Sequence, residues 1–209
     1  MTMKITSVPT GMLGVNTYLA VDEATKKGFI VDPGGYSPAI TKLVKDGDID
    51  IQYIILTHGH SDHICGVNEH LDDFPQAKVV ANINEKSMLE DAVLNMSASM
   101  EGAQTVKADI LVDDGDEMTV GDLTLKFLYT PGHTPGGMCI YIESENILFS
   151  GDTLFRQSIG RTDFPGGSFR DLSDAVHKKL FVLPDETNVL PGHMGATTIG
   201  FEKENNPFV

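Results

Sequence analysis

Short apolar runs alternate with glycine- and proline-rich breaks along most of the chain, and stretches with helical spacing fall between them. Residues 4–8, 17–21 and 29–31 are rich in β-branched and aromatic side chains and read as three strands. Asp32-Pro33-Gly34-Gly35 breaks the pattern. Ser37 then reads as a helix N-cap with Pro38 at the first helical position, and Ile40, Leu43 and Val44 supply an apolar face. Asp46-Gly47-Asp48 ends that helix, and the run 49–56 predicts a buried strand. Ile64, Val67 and Leu71 predict a helix over 64–74 that Pro75 stops. A strand over 78–81 and a helix over 84–94 follow. Residues 95–107 have no clear period and read as a mobile excursion, either bordering an active site or forming a plain surface loop.

Strands return in the second half, over 110–112, 117–120 and 123–129, with turns at Gly115 and Gly121-Asp122. Residues 130–137 form a long turn carrying His133. Segments 138–142 and 147–149 flank a hairpin at Glu145-Asn146, and the second of them runs into Ser150-Gly151-Asp152-Thr153. A helix is predicted over 169–180, capped by Ser168, and a last strand over 188–190 ends at Pro191-Gly192-His193. No linker interrupts this order, so residues 1–209 are expected to form one domain of mixed α/β class.

Composition narrows the function. A hydrophobic share of 41% supports a sizeable core, and 22% charged residues argues against global disorder. The net charge of −15 makes nucleic acid and anionic membranes poor partners. The first residues lack the apolar stretch of a signal peptide, and no segment has the roughly 20 apolar residues that span a bilayer. Cys65 and Cys139 show no framework spacing and are expected to be buried free thiols. A cytoplasmic protein is the expectation.

The chemistry concentrates at Thr57-His58-Gly59-His60-Ser61-Asp62-His63, directly after the predicted buried strand. Imidazoles and a carboxylate this close suit zinc and other first-row divalent ions. Taken alone, His133 and His193 would be ordinary loop histidines, and Asp152 a turn cap. All three, like His58, follow an apolar strand beside glycine or proline. Convergence at one sheet edge would gather His58, His60, Asp62, His63, His133, Asp152 and His193, enough for two metals. Cys65 is expected to pack into the core, His70 and His177 to lie on helix surfaces, and the methionines to fill gaps.

These motifs resemble the metallo-β-lactamase-fold hydrolases, whose signature is His-x-His-x-Asp-His followed by a separate His, Asp and His. The similarity runs from Gly14-Val15-Asn16-Thr17-Tyr18 through Asp32-Pro33-Gly34 to Pro191-Gly192-His193. Gly151-Asp152-Thr153-Leu154-Phe155, Gly160-Arg161-Thr162-Asp163-Phe164 and the closing Asn206-Pro207-Phe208 look most like the short bacterial members of the glyoxalase II-type (hydroxyacylglutathione hydrolase-like) branch. The resemblance implies an αβ/βα sandwich of two mixed β-sheets flanked by helices. It implies that His58, His60 and His133 hold one metal, that Asp62, His63 and His193 hold a second, and that Asp152 bridges. Zinc is the default, with iron or manganese as alternatives.

The implied activity is that of a dinuclear metallohydrolase. Two metals lower the pKa of a bridging water from about 15.7 toward about 7, and the hydroxide attacks a thioester such as S-lactoylglutathione. Asp62 and Asp152 are the catalytic carboxylates in this reading, with Asp62 orienting the water or shuttling its proton. Arg161 is the expected cationic contact to a small thioester or related thiol conjugate, set against a plain surface salt bridge; Arg170 is assigned to a helix face. The C-terminal helical domain that supplies much of the glutathione site in longer relatives is expected to be absent, which leaves the carrier thiol open. The rival reading is a mononuclear-iron persulfide dioxygenase of the same fold.

Overall fold

The computed structural model describes residues 3–100 and 102–209. Met1 and Thr2, part of the segment read for a signal peptide, and Glu101, within the 95–107 excursion, lie outside the described residues.

The first half builds one six-stranded sheet from β1 (Met3–Thr10), β2 (Val15–Asp22), β3 (Lys27–Val31), β4 (Asp50–Ile55), β5 (Lys78–Asn82) and β6 (Ile110–Val112), in that order. The β1/β2 and β2/β3 pairs are antiparallel, and β3 through β6 pair in parallel. The second sheet contains β7 (Glu117–Val120), β8 (Leu123–Tyr129), β9 (Met138–Ile142), β10 (Ile147–Gly151), β13 (Asn188–Pro191) and β14 (Thr197–Thr198). It is antiparallel except where β10 runs parallel to β13. A small ribbon, β11 (Leu154–Phe155) and β12 (Ser158–Ile159), follows β10.

Side-chain alternation stacks these sheets. In β3, Phe29 and Val31 face the core between the sheets while Ile30 faces outward, and β9 divides Met138, Ile140 and Ile142 from Cys139 and Tyr141 in the same way. Phe149 sits at the centre, fully buried, with edge-on contacts to Tyr18 at 5.3 Å and Phe29 at 5.9 Å. Helices cover both outer faces. Ile40 and Val44 of α1 (Pro38–Gly47) pack on the first sheet with Ile64 of α2 (Ser61–Ile64) and Val67 of α3 (Val67–Asp73). After α4 (Lys86–Leu89), the π-helical stretch Val176–Leu180 that continues α5 (Phe169–Ala175) brings Val176 and Leu180, and α6 (Ile199–Asn205) brings Ile199, onto the second sheet. The result is the expected αβ/βα sandwich of two mixed sheets.

Local departures have physical causes. The helix predicted over 64–74 is split at Gly66, whose N–H donates to the Pro33 carbonyl; a Cβ there would lie 2.5 Å from the Gly35 oxygen. The helix over 84–94 shrinks to α4 because the Asp91 carboxylate accepts the N–H groups of Val93 and Leu94, turning the chain out of the helix. Ser37 occupies the N-cap position of α1 without a side-chain bond, whereas Ser168 does cap α5 through Asp171 N–H. His70 is a correction: it is fully buried, not on the surface. It lies three residues after Val67 and four before Phe74, on the same helix stripe, where it stacks on Phe74 and accepts the Ser37 N–H at 3.4 Å. His177 is exposed as expected. Cys65 and Cys139 are buried free thiols. Among the described residues no helix is long and apolar enough to cross a membrane.

The inter-sheet core is the source of rigidity at the strand ends. Phe149→Ala should therefore destabilise the protein by about 3–5 kcal/mol. Urea unfolding measures this; a loss under about 1 kcal/mol would mean that the two sheets do not depend on this contact.

Candidate metal centre

Parallel and antiparallel strands of both sheets end on one side, and each end carries a polar group. Asp32 follows β3, residues 57–63 follow β4, Glu85 follows β5, His133 follows β8, Asp152 follows β10 and His193 follows β13. Side chains at strand ends are aimed by a packed sheet while the loop beyond them turns freely. Gly192 shows how close this packing is, since a Cβ there would lie 2.5 Å from His63 Cε1 and 2.6 Å from Asp152 Oδ1.

All seven predicted ligand residues come together. Their ligating atoms form three overlapping groups, each within 4.8 Å: His58, His60 and His133; His58, His63 and Asp152; and Asp62, His63 and His193. His60 Nδ1 and His133 Nε2 stand 2.9 Å apart, and the His58 and His133 ring centres 4.7 Å apart. Asp152 lies between the groups, with Oδ1 3.4 Å from His63 Nε2 and Oδ2 3.6 Å from His133 Nε2. His193 Nε2 is 3.1 Å from Asp62 Oδ2.

Burial separates the protonation states. Desolvation pushes His58 well below the usual imidazole range, reinforced by the neighbouring histidines, and takes His60 to about 3. It also lowers His133. These three rings are therefore neutral and have lone pairs to offer a cation. For His63 burial again works downward, but Asp152, Asp32 and Asp62 outweigh it and raise the pKa. The hydrogen bond to Asp62 raises His193. Burial alone would raise both Asp62 and Asp152, yet the adjacent histidines hold both carboxylates below their ordinary range.

The donor set fits metal ions. His58 Nε2, His63 Nε2 and Asp152 Oδ1 are buried and have no hydrogen-bond partner, although such atoms ordinarily find one. All three point into the cluster of nitrogen and oxygen donors that suits zinc, iron or manganese.

Three supporting groups were not assigned roles from sequence. Asp32 is buried; its Oδ2 accepts from His63 Nδ1 at 2.9 Å, and its Oδ1 accepts from Thr57 N–H at 2.8 Å. Orienting carboxylates of this kind fix the ring and tautomer of a ligating histidine. Asp32 carries the same signal as Asp152, a carboxylate just after an apolar strand beside glycine or proline. Glu85 is buried and accepts from the N–H groups of Gly59 and Gly136; burial pushes its pKa up to about 7 against those two donors. The third group is the main-chain carbonyl of Arg161, which accepts from His133 Nδ1 at 2.7 Å.

The Arg161 side chain makes the surface pair that was its alternative reading. It forks onto Asp163 at 2.8 and 2.9 Å and lies 3.7 Å over the Phe164 ring, which packs on His60. Arg170 is exposed on α5. The 95–107 segment borders the site: the Asn95 carbonyl accepts from Ser61 N–H, and Asn95 and Ser97 both bond to the Gln104 carbonyl.

The sequence profile of the metallo-beta-lactamase superfamily matches residues 10–193. The chain is 31% identical to the hydroxyacylglutathione hydrolase GloC of Haemophilus influenzae, covering 99% of this chain and 98% of that protein. The crystal structure of BLEG-1 B3 metallo-beta-lactamase superposes with a TM-score of 0.91 at 38% identity, over 98% of this chain and 99% of that one. That of TTHA1623 in a di-iron-bound form gives 0.81 at 30% identity, over 98% and 100%.

Metal that binds only the folded chain must stabilise it, by about 2.7 kcal/mol per site at a hundredfold excess over Kd. Stripping with a chelator should lower Tm by several degrees, and zinc, iron or manganese should restore it. Melting curves that do not respond to either treatment would refute the metal centre.

Proposed function

The chain belongs to the metallo-beta-lactamase superfamily, and on that premise we propose that it is a metal-dependent hydrolase acting on a thioester such as S-lactoylglutathione. The observation that carries the reading is the gathering of five imidazoles and two carboxylates into overlapping groups that include the buried, unpartnered His58 Nε2, His63 Nε2 and Asp152 Oδ1. His58, His60 and His133 would hold one ion; Asp62, His63 and His193 would hold a second; and Asp152 would serve both. The likeness to a di-iron protein supports two ions, and the likeness to a hydroxyacylglutathione hydrolase supports the thioester. We take zinc as the default metal, with iron or manganese as alternatives.

Bound metals would supply Lewis acidity and a water acidified toward a pKa of about 7. The chain's own residues do the rest. Asp62 remains ionised beside His63 and His193, so its carboxylate would accept a hydrogen bond from the water and orient it toward the acyl carbon, the proton that water loses passing on to solvent. Asp32 and the Arg161 carbonyl hold the His63 and His133 rings so that each keeps its other nitrogen turned into the site. Water adds to the carbonyl carbon, the C–S bond breaks, and the sulfur departs as a thiolate. A thiol with a pKa of about 8.5 needs no strong general acid to leave. The Arg161 guanidinium, stacked on Phe164 at the edge of the His60 ring and paired with Asp163, would exchange that partner for a carboxylate of the carrier thiol.

A second reading has its own observation. His58, His63 and Asp152 form a group of two histidines and one carboxylate, the ligand type of mononuclear-iron oxygenases, which keeps the persulfide dioxygenase reading in play.

Purified protein loaded separately with zinc, manganese and iron should release thiol from S-lactoylglutathione and stop with chelator. Failure with all three, together with oxygen uptake on glutathione persulfide, would replace this reading with the second. Hydrolysis of a β-lactam without thioester cleavage would also overturn it. Asp152→Ala should lower kcat/KM by more than about 100-fold and reduce bound metal, exceeding the loss from an outer-shell partner. Wild-type metal content and turnover in that variant would end the two-metal assignment. Arg161→Ala should raise KM by about 3–10-fold with kcat kept, as for the loss of a charged hydrogen bond at an exposed position. An unchanged KM would leave Arg161 as the partner of Asp163 alone.

A further inference from the structure

The three-histidine group draws on both sheets. His58 and His60 lie in the loop after β4 of the first sheet, and His133 lies in the loop after β8 of the second. Something must set the distance between these loops to within a few tenths of an ångström if three imidazoles are to share one ion. The histidines do not do this themselves, because neutral rings 4.7 Å apart attract one another only weakly.

Glu85 spans that gap. It stands in a short 3₁₀ turn, Ile83–Glu85, capped when the Asn82 side chain accepts the Asn84 N–H. One carboxylate oxygen accepts the N–H of Gly59, the residue between His58 and His60, at 2.7 Å; the other accepts the N–H of Gly136, three residues after His133, at 2.6 Å. Steric space demands glycine at position 136 and is merely tight at Gly59. A Cβ at Gly136 would lie 2.4 Å from Glu85 Oε2, and one at Gly59 would lie 3.2 Å from Oε1. Among the described residues no Lys or Arg pairs with this carboxylate, so main-chain donors are what holds it in a buried place. Burying a carboxylate without a cation is costly unless its oxygens are well bonded, and here one group is bonded to both ligand loops at once.

Resting on the metal-centre reading, we infer that Glu85 is a positioning residue that locks the two ligand loops together and selectively sets the affinity of the His58, His60 and His133 group. The other group does not depend on it. Asp62 and His63 are placed by α2 and by Asp32, and the His193 loop is tied to Asn16, whose N–H donates to the Gly192 carbonyl and whose side-chain amide donates to the carbonyls of Pro191 and Met194. Removing the Glu85 bridge should therefore loosen one group and leave the other.

Glu85→Gln tests this with nearly unchanged volume, because an amide offers one acceptor and turns a donor toward the second N–H. Stepwise metal dissociation constants, measured by chelator competition on metal-stripped protein, should show one step weakened about 10–100-fold and the other at its wild-type value. The weakened step should be the one that His133→Ala also removes, and not the one removed by His193→Ala. Gly136→Ala, which crowds the same carboxylate from the opposite side, should give the same selective loss. Equal weakening of both steps together with a lower Tm of the metal-free protein would reduce Glu85 to a structural role and overturn the inference. Wild-type constants for both steps in Glu85→Gln and Gly136→Ala would overturn it as well. A wild-type chain that binds no metal at all would instead refute the metal centre on which the inference rests.

Discussion

Five imidazoles and two carboxylates are pressed together at the seam where the strands of two sheets end, and most of them are out of contact with water. Such a gathering is unfavourable unless its charges are divided. Burial supplies that division by keeping His58, His60 and His133 neutral, while Asp32, Asp62 and Asp152 draw positive charge toward His63 and His193. One end of the cluster thus offers lone pairs and the other offers carboxylate charge. A divalent cation would satisfy both at once, and it would give partners to the buried, unpartnered His58 Nε2, His63 Nε2 and Asp152 Oδ1.

The surrounding structure serves this crowding. An inner core of aromatic and β-branched residues holds the sheets in register, so the strand ends cannot drift. Each ligand loop is then fastened from outside by a different acceptor. Asp32 orients His63, the Arg161 carbonyl orients His133, and Glu85 ties the Gly59 and Gly136 main chains. None of these supporting groups is a metal donor in the three ligand sets.

Around the site the chain offers little positive charge. With a net charge of −15, the surface as a whole repels anionic thiol conjugates. The Arg161 guanidinium is already forked onto Asp163 and laid on an aromatic ring, so its attraction for a substrate carboxylate is tempered by an existing partner.

How much of this was legible in the chain depended on the range of the interaction. The strands followed from local pattern, because a strand buried on both faces must be apolar throughout, whereas the αβ/βα arrangement was implied by the resemblance of the motifs to a known family. The gathering of seven metal-type side chains was legible too, since His58, His133, Asp152 and His193 each follow a strand beside glycine or proline, and His60, Asp62 and His63 crowd the same loop as His58. Asp32 carried that same mark, but the sequence offered it only as a breaker and as part of the family motif, with no role at the site. His70 was misplaced because its neighbours are polar, although its helix stripe, set by Val67 and Phe74, is apolar. Glu85 and the Arg161 carbonyl left no mark in the sequence. Their partners are main-chain atoms of Gly59, Gly136 and a side chain 28 positions away. A backbone N–H is present at nearly every residue, so nothing in the residue types announces which one will be met. Only folding two sheets face to face chooses those partners, and with them the distance between the loops that carry the ligands.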